Sequence, residues 1–141
     1  MSKNILDALI SIDKKDSALF VGNYSKFLTR LDSLDLNIRK TCSGGSHSFL
    51  VYHPMLTYYA KDYGLQQISL EQRGHEPSAK QLMQIIAEAK RERVHTFFMQ
   101  KEFSNRNISA VKGSLNVKVY TIDPLGYNWD ICMQDIAKKL K

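Results

Sequence analysis

Four places in this sequence hold side chains able to bind a divalent metal or move a proton: His53, Glu71, the run Gln100-Lys101-Glu102, and Asp123. An imidazole beside carboxylates offers nitrogen and oxygen donors together, the mix that Zn²⁺ and Mn²⁺ accept. The same groups suit proton transfer, with His53 as general base and Asp123 orienting its ring. Each also has an ordinary structural reading. A lone imidazole serves as a hydrogen-bonded or solvated side chain, and Asp123 before Pro124 is a common turn residue. Glu71 heads the loop-like Glu71-Gln72-Arg73-Gly74, and His75 suits a surface. Tyr58, Tyr59 and Tyr63 suit core and rim packing better than a binding stripe.

Which reading holds depends on the elements that carry these residues. Short apolar runs of strand length occur at Ser48–His53, Gln67–Glu71, Val94–Met99 and Val117–Thr121. Between and after them, helical spacing predicts helices over Pro54–Tyr63, Ser78–Arg93, Ser104–Lys112 and Trp129–Leu140. Ser78 with Gln81 three residues later reads as a capping box, and Gly64 as a helix stop. Strand and helix in alternation imply right-handed crossovers and a parallel sheet covered on both faces. The expected fold is therefore α/β, a four-stranded parallel sheet sandwiched by helices. Ligands of such sheets bind beyond the carboxyl ends of the strands, which is where His53, Glu71, Gln100 to Glu102 and Asp123 fall.

Upstream the pattern is helical. Ile5, Leu9 and Ile12 share a face, and after a break near Asp13 the set Phe20, Tyr24, Phe27, Leu28, Leu31 and Leu34 continues it, with Asp16 as an N-cap. Thr41–Ser48, with Gly44-Gly45 and Cys42, has loop composition. The expected organisation is N-terminal helices over 1–43 and an α/β lobe over 44–141, packed as one domain.

Composition narrows the function classes. With 43% hydrophobic and 24% charged residues in 141, the chain has the make-up of a globular domain. No apolar run approaches the roughly 18 residues of a membrane span, and the start Met1-Ser2-Lys3-Asn4 does not read as a secretory signal. The net charge of +6 would suit nucleic acid, but Glu88 and Glu92 interleave with Lys90, Arg91 and Arg93, the pattern of a solvated helix face. Cys42 and Cys132 have no metal-ligand spacing and are expected to be unpaired thiols, Cys42 in the loop and Cys132 in the last helix.

One resemblance spans nearly the whole chain. The stretch from Phe49 through His53-Pro54 and Tyr58 to Tyr63-Gly64-Leu65 resembles the segment of the zinc/manganese ABC-transporter substrate-binding proteins in which a strand delivers a metal-binding His into a helix ending Tyr-Gly-Leu. It continues in order through Ile68–Glu71, Glu76-Pro77-Ser78, Gln81-Leu82, Phe103-Ser104 and Thr121-Ile122-Asp123-Pro124-Leu125-Gly126. Upstream, Asn4–Asp13 with Tyr24–Phe27 and Leu31 resembles the end of that family's connecting helix and the helix after it.

The resemblance implies a C-terminal half that captures a divalent metal, zinc or manganese, for uptake. It places metal ligands at His53 and Asp123, with Glu71 as a further carboxylate in manganese-type members. The expected sheet order is 2-1-3-4, with the strands ending at His53 and Glu71 as neighbours. The resemblance implies an N-terminal lobe supplying two more His, an ABC-transporter permease as partner, and a periplasmic or cell-envelope setting for the full-length protein. No nucleophile is paired with a base and no Gly-rich phosphate loop follows a strand, so a binding module rather than an enzyme is expected. Two departures stand out: Gln100-Lys101-Glu102 replaces the usual acidic residue, Pro and Gln before Phe103-Ser104, and no His-rich acidic loop is present. The competing functions are a small α/β enzyme using His53 and Asp123, which a hydrolase screen would detect, and a basic nucleic-acid-binding domain, which salt-dependent retention on DNA or RNA would reveal.

Overall fold

The computed structural model describes residues 1–71, 74–100 and 106–141, with Arg106 and Asn107 as backbone alone. The expected helix start at Ser104 and the rim residues Lys101 and Glu102 lie outside the described residues. Two compact units are distinguished, Met1–Asn37 and Ile38–Lys141.

The first unit holds α1 (Ser2–Ile12) and most of α2 (Ser17–Cys42). The break expected near Asp13 is there: its carboxylate accepts the backbone N–H groups of Lys15 and Asp16 at 3.0 and 3.3 Å, closing the turn. The apolar face of α1 is exposed at Ile5, Leu9 and Ile12. α2 runs to Cys42, so the thiol expected in a loop is the last residue of a helix.

The second unit is built on β1 (Ser48–Val51), β2 (Gln66–Ser69), β3 (Thr96–Met99) and β4 (Lys118–Thr121). All three pairings are parallel and the order is β2-β1-β3-β4, as expected. The strands are fed by α3 (Thr57–Asp62), α4 (Ala79–Arg91), α5 (Arg106–Ser114) and α6 (Trp129–Leu140). β1 is buried at every residue, which suits a strand covered on both faces.

One face of the sheet packs Leu50, Ile68 and Phe97 with Ile85 and Ala89 of α4 and Ile108 and Val111 of α5. The other carries Phe49 edge-on to Phe98, centroids 5.7 Å apart, and Tyr120, whose ring lies under the Lys139 ammonium of α6 at 5.0 Å. α3 and α6 are tied by the Tyr59 hydroxyl, which donates to the Met133 carbonyl at 3.1 Å. Gly45 passes so close to the end of α6 that a Cβ there would sit 2.6 Å from the Leu140 carbonyl oxygen. Of the three tyrosines expected in packing roles, Tyr59 is 9% exposed, Tyr63 stacks under Arg39 at 5.2 Å, and Tyr58 is a surface side chain at 83%.

Local chemistry explains the element ends. The Ser78 hydroxyl accepts from Gln81 N at 3.4 Å while Ser78 N donates to the Gln81 side chain at 2.9 Å, a complete capping box. Gly64 stands at φ +66 after α3, where a left-handed residue lets Leu65 N reach the Ala60 carbonyl. Where boundaries differ from the expected ones, the backbone shows why. α3 begins at Thr57 rather than Pro54, since Met55 N turns back onto the His53 carbonyl at 2.7 Å and the Leu56 N–H is taken by the Gln67 side chain at 2.8 Å. The strand expected to reach His53 closes at Val51.

Candidate metal site

The pairing of β1 with β2 sets the site. Val51 lies opposite Ser69, an offset of eighteen residues, and the same offset carries on to His53 and Glu71. Backbone bonds extend the pairing past the strands, with Leu70 N donating to the Val51 carbonyl and Glu71 N to that of Tyr52, at 3.0 and 2.9 Å. The Ser69 hydroxyl lies 3.1 Å from the Tyr52 carbonyl and 2.8 Å from that of Glu71, bracing the same corner.

The outcome is a close contact between the two side chains: His53 Nδ1 lies 2.9 Å from Glu71 Oε2. Glu71 is largely enclosed, with 12% of its side chain accessible, while the imidazole is 46% accessible. A carboxylate holding Nδ1–H fixes the tautomer with Nε2 as the lone-pair nitrogen and makes that nitrogen a better donor to a cation. The carboxylate that holds His53 is thus Glu71, not Asp123 as the general-base alternative required.

Asp123 follows β4 at the same edge of the sheet. Since β3 lies between β1 and β4, the two strand axes are about 10 Å apart at the usual interstrand spacing. Among the described residues no group of three His, Cys, Asp or Glu side chains is close enough together to hold a metal. The structure therefore joins His53 to Glu71 and leaves Asp123 apart, with Gln100 at the end of the strand between them.

Asp123 is shaped by its own turn. Its Oδ1 accepts the Leu125 N–H at 3.1 Å and its carbonyl accepts the Gly126 N–H at 3.2 Å. A Cβ on Gly126 would sit 3.2 Å from Asp123 Oδ2, so the glycine leaves the second carboxylate oxygen uncrowded. Beside it lies an open hollow of about 420 Å³ walled in part by Tyr127, Ile131, Cys132 and Asp135. Burial pushes the Cys132 thiol up, partly offset by a hydrogen bond from the Asp123 backbone. Burial also raises the Cys42 thiol, against which the Tyr59 hydroxyl bonds, and raises Tyr59 itself. Both cysteines are free thiols.

Sequence reasoning missed the His53–Glu71 contact and the role of Gly126. The first depends on strand register, which nothing in the sequence states. The second had a signal in Asp123-Pro124-Leu125-Gly126, where glycine closes a turn.

Comparisons with known proteins agree with the fold that carries these residues. A solved structure described as ZnuA superposes with a TM-score of 0.90 at 30% identity, covering 97% of this chain and 54% of that one. A ZnuA deletion mutant with zinc bound superposes at 0.87, also at 30% identity, over 97% of this chain and 53% of that one. The high-affinity zinc uptake system protein ZnuA of Bacillus subtilis is 24% identical over 126 residues, which are 87% of this chain and 40% of that protein. The chain spans half or less of the length of the curated relatives it matches, for example 45% of one from Chlamydia muridarum. A family model described as ZnuA, the periplasmic component A of the zinc-uptake complex, matches residues 1–139, and the chain belongs to that family.

Proposed function

We propose that this lobe captures a divalent metal, zinc, at the carboxyl edge of its sheet, as one half of a two-lobed substrate-binding protein of an ABC uptake system. His53 binds through Nε2 and Asp123 through its carboxylate. Glu71 holds the imidazole from behind, and the remaining ligands come from a second lobe. The observation that carries this reading is the 2.9 Å contact between His53 Nδ1 and Glu71 Oε2, because it turns the other imidazole nitrogen into the metal donor. The relatives described as zinc proteins favour zinc over manganese. In a manganese-type site Glu71 would leave Nδ1 and bind the ion directly. The role is binding and delivery to a permease, with the full-length protein working in the periplasm or cell envelope.

A site with two protein ligands binds weakly. A closed tetrahedral zinc site uses four, and each missing ligand leaves water in its place, so affinity is expected to fall several factors of ten below that of a two-lobed cleft. Calorimetric titration of Zn²⁺ into the chain and into His53→Ala and Asp123→Ala variants tests this. Weak binding reduced by both substitutions is the expected result. Binding of unchanged strength in both variants would place the metal on other residues.

A further inference from the structure

The opposite, amino edge of the sheet carries a groove that the metal reading does not use. It has a volume of about 1020 Å³, and its lining brings together His47, Arg93, His95, Lys118 and Lys139. Lys138 and Lys141 also line it, with Glu92 and Asp135 as its acidic groups. Both acids are already engaged: Glu92 Oε1 accepts from Arg91 at 3.1 Å, and Asp135 lies 3.6 Å from Lys138. Lys139 is held over the Tyr120 ring. Arg93 and Lys118, by contrast, have no carboxylate partner among the described residues and both are exposed.

The fold assembles this groove from four separate segments. His47 precedes β1, His95 precedes β3, and Lys118 opens β4 opposite Thr96. The main chain that carries each imidazole is tied to its neighbour strand, for the His47 carbonyl accepts Gln66 N at 2.7 Å and the His95 carbonyl accepts Lys118 N at 2.8 Å. Ser46 N donates to the Leu140 carbonyl at 2.8 Å and the Thr96 hydroxyl to that of Lys139 at 2.9 Å, so the end of α6 is pinned as the groove's far wall.

Arg93 adds an independent observation. It stands at φ +51, the one non-glycine residue with a positive φ among the described residues. It follows α4, with Val94 N donating to the Ala89 carbonyl and Arg93 N to that of Lys90, a helix end whose left-handed position glycine fills most easily. Glycine does fill the equivalent position after α3, at Gly64. A side chain kept where the backbone resists one points to work done by that side chain, and here it is a guanidinium on the rim of a cationic groove.

We propose that the groove at the amino edge of the sheet binds a multivalent phosphate-type oxyanion, with the Arg93 guanidinium as a forked donor, Lys118 as a point charge and the imidazoles of His47 and His95 as hydrogen-bond donors. Arginine suits this task because its planar fork meets two oxyanion oxygens at once. Five lysine and arginine side chains line the groove against two acids that are already engaged, so a ligand carrying several negative charges suits it. A free polyphosphate and the phosphates of an anionic lipid headgroup share this chemistry.

Calorimetric titration of tripolyphosphate into the full chain at about 0.15 M salt, where charges more than about 8 Å apart are screened, separates a site from diffuse attraction. Arg93→Gly removes the guanidinium while relieving the backbone, so it should raise the unfolding temperature and weaken binding roughly tenfold or more. Lys118→Gln should weaken binding by a similar factor. Lys90→Gln removes the same charge from an exposed position outside the groove and should leave binding unchanged. Co-sedimentation with phosphatidylserine vesicles assigns the source: vesicle binding stronger than tripolyphosphate binding, and lost in Arg93→Gly, places the phosphate on a lipid, whereas tripolyphosphate binding without vesicle binding places it in solution. Absence of binding to both, or equal losses in Lys90→Gln and Arg93→Gly, would overturn the proposal.

Discussion

His53 and Asp123 occupy the same edge of one sheet but are held by different means. His53 is fixed from two directions, by the continuation of the β1–β2 ladder beneath it and by a largely enclosed carboxylate against its ring. Asp123 hangs from a four-residue turn, exposed, with one carboxylate oxygen spent on its own backbone and the other facing a glycine. The first arrangement is organised before any metal arrives. The second keeps an oxygen that can follow the ion. On the proposed reading, a half-site built this way would present one rigid nitrogen and one adjustable oxygen, with the remaining coordination supplied by a second lobe.

The two sides should therefore respond unequally to mutation. The largest loss is expected from His53→Ala, about a hundredfold or more in zinc affinity, because it removes the preorganised donor. Asp123→Ala should cost less, roughly tenfold, since water replaces an oxygen ligand more easily than a nitrogen one. Equal losses measured by calorimetry would remove the distinction between the two sides.

Glu71 sharpens the same comparison. As the group that orients His53, its replacement by Ala should weaken zinc binding by roughly tenfold, within the range seen when an outer partner of a metal-bound His is lost. In His53→Ala the further change Glu71→Ala should then have almost no effect, because the ring it orients is gone. If Glu71 instead ligates the metal directly, the double variant should lose a second, independent factor.

Gly126→Ala is a milder probe of the other side. Its Cβ would press on the Asp123 carboxylate at 3.2 Å, so zinc affinity should fall a few-fold while His53 is untouched, a change visible in the same titration.

The smallest effect concerns the thiols behind these rims. Burial holds the Cys42 thiol and the Tyr59 hydroxyl above their ordinary values. The folded chain therefore keeps protons that the unfolded chain gives up, and stability is full below the unfolded thiol value near 8.5 and falls as pH rises beyond it. The urea midpoint should drop between about pH 7 and pH 9.5, and less so in Cys42→Ala. A midpoint that rises over that interval would contradict the buried-thiol assignment.

The α6 boundaries and the Ser78 cap were readable because each rests on local patterns: helical spacing and a Ser-x-x-Gln pair. β2 was misplaced by a residue at its start because Gln66 and Gln67 give an edge strand little apolar signature, only Ile68 being buried. The candidate residues at the carboxyl edge were visible as strand-end residues, yet their partners were not. The contact of His53 with Glu71 follows from register, a long-range property. The groove at the opposite edge was hidden for the same reason: His47, Arg93, His95 and Lys118 lie far apart in sequence, and Arg93 among its acidic neighbours looked like part of a solvated helix face.

In the proposed site His53 presents Nε2 to the metal while Glu71 keeps Nδ1. Long-range proton–nitrogen correlation spectra of the four histidines, recorded as Zn²⁺ is added, test it directly. His53 Nε2 is expected to move to a metal-bound nitrogen shift while its Nδ1 retains the proton and His47, His75 and His95 change little. A metal-bound shift on His53 Nδ1, or zinc-dependent changes confined to the other three, would contradict it.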